Sequence, residues 1–203
     1  MDLGLTGNSE KLNYISFKPS INAWFSNMEI DDAGEMVEIE MGDKPLLLDI
    51  SSLKTGWIKI EKGMAPDCVW DEKRGDRKDS DKPSDNHKRG FSINAMRKIS
   101  HGWLQWQTNA VGSNMGLQDL LSSVSKEHGE NTFSKNSDKV MKVKYTGSKI
   151  NNEGVATTRI PHFEFVSWVD DPTQDDKSLA DEKDQAKDVN ELSSKTDDEP
   201  EFI

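Results

Sequence analysis

The chain is poor in the residues that build disulfides and metal centres, because it has one cysteine, Cys68, and four histidines among its 203 residues. A single thiol cannot close a disulfide within the chain, and it cannot supply the cysteine pairs of a structural zinc site. We therefore expect no metal and no other cofactor, and we interpret Cys68 as a small buried thiol.

Long apolar runs are also missing, so no stretch of the sequence has the composition of a membrane span. The opening segment MDLGLTGNSEKLNY lacks both the basic start and the apolar centre of a signal peptide. We expect a soluble, cytoplasmic protein with no membrane partner.

Common catalytic motifs are absent as well, since the sequence contains no GxxxxGKS/T, GxSxG or HExxH pattern. We therefore predict a protein that is not an enzyme. The acid pairs Asp31-Asp32 and Asp170-Asp171, with His101 or His162, leave a metal-dependent nuclease open as an alternative. Such pairs also arise by chance in a chain with 37 acidic residues.

Charge is distributed unevenly along the chain. Residues 170–203 contain 13 Asp and Glu against 4 Lys, a net charge of −9, and have no aromatic residue before Phe202. This composition predicts a disordered acidic tail that follows one folded domain, residues 1–169. Within that domain, residues 73–107 carry 9 Lys and Arg against 4 Asp, which predicts a basic face.

Hydrophobic alternation predicts a mainly β domain with one helix. The helix covers about residues 113–128, with Ser113 or Asn114 as its N-cap and Gly129 as its end. A polar, charged stretch at about 71–87 predicts a long mobile loop. Strands are expected at 35–41, 45–50, 56–61, 91–99, 103–107, 140–145 and 160–169.

This element order, with the helix before the last two strands, predicts a five-stranded Greek-key barrel of the OB type. A β-sandwich with one helical crossover would give the same order, so both architectures stay open.

Aromatic and basic residues alternate in several predicted strands. In GWIKIE, Trp57 and Lys59 share one face while Ile58 and Ile60 are expected in the core, and in VMKVKY, Lys142 and Lys144 project together. Single-stranded nucleic acid is bound by this combination, because cations track the phosphates and rings stack on the bases. The predicted DNA-binding residues are Trp57, Lys59, Lys88, Arg89, Phe91, Arg97, Lys98, Trp103, Trp106, Lys142 and Lys144.

Not every aromatic residue in this set is expected to contact DNA. Trp103 and Trp106 lie on opposite faces of one predicted strand, so one of them should be in the core. At least half of the aromatic residues, including Phe163, Phe165 and Trp70, are expected to fill the core.

A basic, aromatic-bearing β domain followed by an acidic tail that ends in TDDEPEFI resembles the single-stranded-DNA-binding proteins of bacteria and their tailed phages. The stretches GWIKIEKGMAPDCVW and PHFEFVSWVDDP resemble the phage or prophage type, although the sequence places Ile203 after the phenylalanine on which bacterial tails end. The resemblance implies an OB-fold that binds and protects single-stranded DNA during phage replication, recombination and repair. It also implies a location in the host cytoplasm and is compatible with a homo-oligomer. It also implies a tail tip that binds replication and recombination proteins through Asp197, Asp198, Glu199, Glu201, Phe202 and Ile203.

An acidic tail also imitates the charge of a nucleic-acid backbone. A second alternative is therefore an acidic interaction or inhibitor protein that acts as a DNA mimic against a basic partner.

Overall fold

The computed structural model describes residues 13–30, 36–42, 44–61, 63–76, 78–152 and 157–173, without the side chain of Ile30. The described residues up to Asp170 belong to one unit, and only residues 171–173 of a second unit are described. The predicted tail therefore lies almost entirely outside the described residues, and so do all the predicted partner-binding residues.

The mainly β character predicted from the sequence is confirmed. The α-helices among the described residues are α1 (Val111–His128) and the short α2 (Thr132–Lys135). The strands in the described residues are β1 (Ile15–Lys18), β2 (Ala23–Ile30), β3 (Met36–Ile39), β4 (Leu46–Lys59), β5 (Asp67–Trp70), β6 (Lys88–Met96), β7 (Leu104–Thr108), β8 (Val140–Asn151) and β9 (Thr158–Val169).

These strands form two antiparallel sheets. The smaller sheet has the order β1-β2-β3, and the larger has the order β7-β6-β4-β8-β9 with β5 beside β4. The separate strands predicted at 45–50 and 56–61 are one strand, β4, whose register with β6 shifts between Asp49 and Lys54. The first part of β4 pairs with β8 and the last part with β5, so β4 joins the two halves of the sheet.

Within the described residues the larger sheet does not close into a barrel, because β7 and β9 are its ends and do not pair. At the edge of β7, the amide of Gln105 donates to the carbonyl of Asn13 (2.9 Å) and Gln105 forms a parallel bridge with Tyr14. Helix α1 packs along β9, where a Cβ added at Gly116 would overlap the carbonyl oxygen of Pro161. The segment at Asn13 and Tyr14 thus lies along β7 and α1 packs along β9, so these two end strands contact different elements and not each other.

The N-terminal sheet also fills the core between these ends. The ring of Trp24 on β2 lies 5.1 Å from that of Trp106 on β7 and 5.7 Å from that of Tyr145 on β8, measured between centroids. Phe163 on β9 lies 6.1 Å from Trp24. Packing of aromatic side chains therefore links the two ends of the larger sheet, where no backbone hydrogen bonds join β7 to β9 in the described residues.

Helix α1 agrees with the sequence in its end but not in its start. It ends at His128 with Gly129 as the C-cap, and the positive φ of 88° at this position favours glycine. Its N-cap is Ala110, and the predicted caps are wrong because Ser113 is fully buried inside the helix. The helical spacing of Leu117, Leu120, Leu121 and Val124 predicts that these side chains face the core. Leu117, Leu120 and Val124 are buried, and Leu121 is partly buried against the core.

Candidate nucleic-acid interface

Strand β6 divides the predicted site between the two faces of the sheet. Successive residues of a strand point to opposite faces, so Arg89 and Phe91 lie on the core face and Lys88 lies on the other. The predicted residues that surround β6 are therefore not one surface.

Two of the predicted aromatic residues are in the core. Phe91 is 3% exposed and Trp106 is 0% exposed, with their ring centroids 4.9 Å apart in an edge-to-face contact. Neither ring can stack on a base without unfolding of the core, so neither belongs to the interface. Trp103, in contrast, is partly exposed just before β7, which agrees with the prediction that Trp103 and Trp106 differ in burial.

Trp57 is also covered, although it lies outside the main core cluster. It is 6% exposed, and the guanidinium of Arg89 lies 5.3 Å and the ammonium of Lys82 5.9 Å from its ring centroid. The prediction that Ile60 takes the core while Trp57 is on the open face is wrong, because Ile60 is 48% exposed. Residues that follow β5 provide the cover over Trp57.

Arg89 is held by a carboxylate of the same chain. Its two terminal nitrogens donate to the two oxygens of Asp71, one of them at 2.7 Å, and Thr55 Oγ1 donates to Asp71 as well. The hydrogen bond from Arg89 holds the pKa of Asp71 below its ordinary value, and the same bond raises the pKa of Arg89. The pair is thus charged on both sides.

Glu29 on β2 holds the two basic residues that follow β6. Arg97 Nη1 lies 2.7 Å and Lys98 Nζ 2.9 Å from Glu29 Oε1. Burial raises the pKa of Glu29, but the hydrogen bond from Lys98 and the charges of Arg97, Lys98 and His101 outweigh burial and lower that pKa overall. Glu29 therefore links the segment after β6 to the smaller sheet, but this one carboxylate balances only one of the two positive charges.

Lys59 forms an ion pair with a neighbouring residue, since its ammonium lies 3.1 Å from the carboxylate of Glu61. Lys142 and Lys144 project away from the buried Met141 and Val143, as predicted. In the register of β8 with β9, Lys144 lies opposite Glu164.

The register of the sheet places many polar side chains on one face, together with the acid Asp49 opposite Asn94 and the buried Ile58 and Met96, and the sequence predicted this set only in part. Residues directly opposite each other in antiparallel strands share a face. Starting from the even-numbered residues of β6, this rule joins Lys54, Ser92 and Gln107 in one row. We call the following set the outer face: Lys54, Trp70, Lys88, Asn94, Gln105, Gln107 and Lys142.

Trp70 is the aromatic residue of the outer face, and it was expected in the core. It is partly exposed and lies opposite Gly56, and its Cε3 is 3.0 Å from the position of a Cβ added there. The ring therefore lies directly against the glycine, where any larger side chain would displace it. No sequence signal predicts this position, because β5 has only four residues and no apolar stripe.

One hydrogen bond indicates the curvature of this face. Gln107 Nε2 on β7 donates to Cys68 Sγ on β5 at 3.0 Å, although β4 and β6 lie between these strands. The sheet must curl toward the outer face for the two side chains to meet. Cys68 is half-buried and not fully buried as expected, and burial raises the pKa of its thiol.

The lysines of the outer face differ from those of the core face in their partners. Lys54, Lys88 and Lys142 have no ion-pair partner among the described residues. Leu47 on β4 pairs with Lys142 on one side and with Met96 on the other. Lys142 therefore lies near the end of β6 that is opposite to Lys88. Eight residues of strand separate these ends, a span of about 26 Å at about 3.3 Å per residue.

Other kinds of site have little support in the part of the chain that the structure describes. No group of three or more His, Cys, Asp or Glu residues is placed to hold a metal ion there. In the same residues, no helix combines the length and apolar character that crossing a membrane requires. Comparison of the chain with protein-family models, with curated proteins and with solved structures finds no match.

Proposed function

We propose that this protein binds single-stranded nucleic acid, in particular single-stranded DNA, across the outer face. The observation that carries the proposal is the combination, on one curved face, of lysines that lack an ion-pair partner among the described residues, amide side chains and a partly exposed tryptophan. The protection of DNA during phage replication and recombination, which the sequence resemblance implies, is the cellular role that fits this activity.

The strand order supports an OB-type interpretation of the larger sheet. Apart from β5 and α2, which lie between them in the chain, three meandering strands (β4, β6 and β7), a helix (α1) and a hairpin (β8 and β9) follow one another. The first of these strands, β4, lies beside the fourth, β8. OB-folds are partly open Greek-key barrels of five strands, and they bind oligonucleotides on the face of strands 2 and 3. The corresponding strands here are β6 and β7, which supply Lys88, Asn94, Gln105 and Gln107.

Each kind of side chain has a separate task in this proposal. The lysines neutralise phosphates along the strand, and the indole of Trp70 stacks on a base. The amides of Asn94 and Gln105 donate and accept hydrogen bonds, which suits base edges of any sequence. Stacking and charge do not depend on base identity, so we expect binding with little sequence preference.

Titration of the protein with dT oligonucleotides at several salt concentrations, followed by tryptophan fluorescence, tests the proposal. The wild-type protein should bind, with an affinity that falls as salt rises. The triple variant K54A/K88A/K142A should bind more weakly, and its log–log salt slope should be shallower by about 2, since each lost phosphate contact removes about 0.7.

A second triple variant provides the control, because K126A/K135A/K139A removes the same charge from α1, α2 and the turn before β8. If both triple variants lower the slope equally, binding depends on net charge and the outer face is not the site. Tight binding to a basic protein with no oligonucleotide binding at low salt would instead indicate the DNA-mimic alternative. Cleavage of the oligonucleotide that stops with chelator would indicate a nuclease.

A further inference from the structure

The segment between β5 and β6 crosses the core face of the sheet at the end where Trp57 lies. We call its described residues, 71–76 and 78–87, the strap. The amide of Asp71 donates to the carbonyl of Thr55 (2.9 Å), and the amide of Gly75 donates to Thr55 Oγ1 (2.8 Å). Arg74 Nη2 donates to the carbonyl of Ile50 (2.8 Å). The segment predicted as a mobile loop is therefore attached to β4 at several points.

Trp57 is enclosed between β6 and the strap. Arg89 from β6 and Lys82 from the strap lie against its ring, and its indole nitrogen donates to the carbonyl of Lys78 (3.4 Å). Beside the ring is a cavity of about 270 Å³, lined among others by Val69, Asp71 and Lys78. The strap is thus not tightly packed around the indole, and the ring has space next to it.

We propose that Asp71 is a latch that occupies the place of a nucleic-acid phosphate on Arg89, and that its release opens the strap and exposes Trp57 as a second stacking ring. The inference rests on the proposed function. A carboxylate and a phosphate bind a guanidinium through the same two-pronged hydrogen bonds, so a phosphodiester can replace Asp71 at Arg89. No new contact geometry is needed at the arginine.

The position of Arg89 makes this exchange possible for a strand on the outer face. Lys88 and Arg89 are consecutive residues of β6 and point to opposite faces of the sheet. A strand that reaches Lys88 at this end can continue around it to Arg89. The strap carries six acidic residues against four basic ones among its described residues, so its net charge does not attract a polyanion and Arg89 is the group that a phosphate would bind.

The latch is tested first without nucleic acid, by acrylamide quenching of tryptophan fluorescence. Asp71→Asn removes the charge that holds Arg89 and should increase the quenchable fraction. The increase should disappear when Trp57→Phe is added, because the newly accessible ring is Trp57. Asp119→Asn removes the same charge from an exposed position of α1 and should change nothing. Unchanged quenching in Asp71→Asn, or an increase that persists without Trp57, would overturn the latch.

Hydrogen exchange on the wild-type protein gives a second test that does not depend on the folding of a variant. On addition of dT oligonucleotide, the amides of Asp71 and Gly75 should lose protection, since their bonds to Thr55 break when the strap opens. Continued protection of both amides in the bound protein would refute the exchange of Asp71 for phosphate.

Binding affinity separates the latch from the proposed function. Asp71→Asn should bind dT oligonucleotide about threefold or more tightly than Asp119→Asn, because its strap is already released before binding. Equal affinities would contradict the latch while leaving the outer-face proposal intact. If no variant binds any oligonucleotide, the proposed function fails, and the quenching experiment still decides whether Asp71 holds the strap over Trp57.

Discussion

The replacement Trp70→Leu distinguishes a stacking ring from a core ring. Leucine keeps an apolar side chain against Gly56, but it removes the aromatic face that would contact a base. Base stacking on an aromatic side chain contributes about 1–3 kcal/mol by alanine substitution. We therefore expect Trp70→Leu to weaken oligonucleotide binding by about 5-fold to 150-fold, at about 1.4 kcal/mol per tenfold change.

The expected loss of stability is smaller. Trp70 lies on the outer face of a four-residue edge strand, and it is outside the buried core cluster. Large-to-small changes of core aromatics cost about 3–5 kcal/mol because they leave a cavity, whereas a partly exposed site can relax. We expect the denaturation midpoint of Trp70→Leu to stay close to that of the wild-type protein.

Trp168→Leu is the matched control, because Trp168 is also partly exposed but packs against Phe133 and Phe165 on the side of the core. It should lose stability and keep its affinity. The assay is fluorescence anisotropy of a labelled dT oligonucleotide, which does not depend on the number of tryptophans, with urea unfolding in parallel. Wild-type affinity in Trp70→Leu would refute the stacking role, and equal losses in both variants would show a general effect of lost packing.

Three further predictions concern packing, charge and the tail. Gly116→Ala should destabilise the protein by about 1–3 kcal/mol in urea unfolding, because the added Cβ meets the carbonyl of Pro161 in tightly packed surroundings. Glu29→Gln should flatten the pH dependence of the free energy of unfolding. The pKa of Glu29 is lowered in the folded protein, so its ion pairs stabilise the fold above its ordinary pKa of 4.5, and this stabilisation is lost as pH falls through the folded-state pKa. Deletion of residues 170–203 removes a net charge of −9 and should raise DNA affinity, whereas deletion of Phe202 and Ile203 alone should leave affinity unchanged and abolish pull-down of a polymerase, helicase or recombinase.

Each of these has a control within the chain. Ser122→Ala adds helix propensity at an exposed position of α1, so it should be neutral or stabilising, and a loss equal to that of Gly116→Ala would contradict the steric argument. Glu72→Gln removes an exposed carboxylate, and an equal flattening there would remove the special role of Glu29. Equal effects of both tail deletions on both assays would show that the two terminal residues have no separate function.

The sequence predicted the elements that have their own periodicity. The alternation in β8 and the helical spacing of Leu117, Leu120 and Val124 are local, and both patterns reappear as burial patterns. Strands β1 and β5 have four residues each, and β1 is held by the packing of Ile15 and Phe17 in the core. Such short strands depend on tertiary contacts, which a local pattern does not contain.

The candidate site was harder to predict because two-residue alternation assumes that only one face of a strand is buried. At the end of β4 both faces are covered: Trp57 lies beneath the strap, and Ile58 is 0% exposed on the side toward which the sheet curls. The sequence also does not predict which carboxylate pairs with each cation, because partners such as Arg97 and Glu29 are 68 positions apart. Ion pairs between distant segments determine which cations of the described residues are available to a ligand.

Oligonucleotide length separates binding to the outer face from opening of the strap. The outer face spans about 26 Å along β6, which suits the short end of the range of about 4–16 nucleotides bound per OB-fold. A strand limited to this face leaves the Asp71–Arg89 pair intact, so the wild-type protein and Asp71→Asn should bind it equally. A longer strand continues past Lys88 to Arg89 and must displace Asp71, so only then should Asp71→Asn bind more tightly. Affinities measured over a series of dT lengths should therefore diverge above a threshold length. A constant ratio at every length would mean that Asp71 acts through general charge and not as a latch.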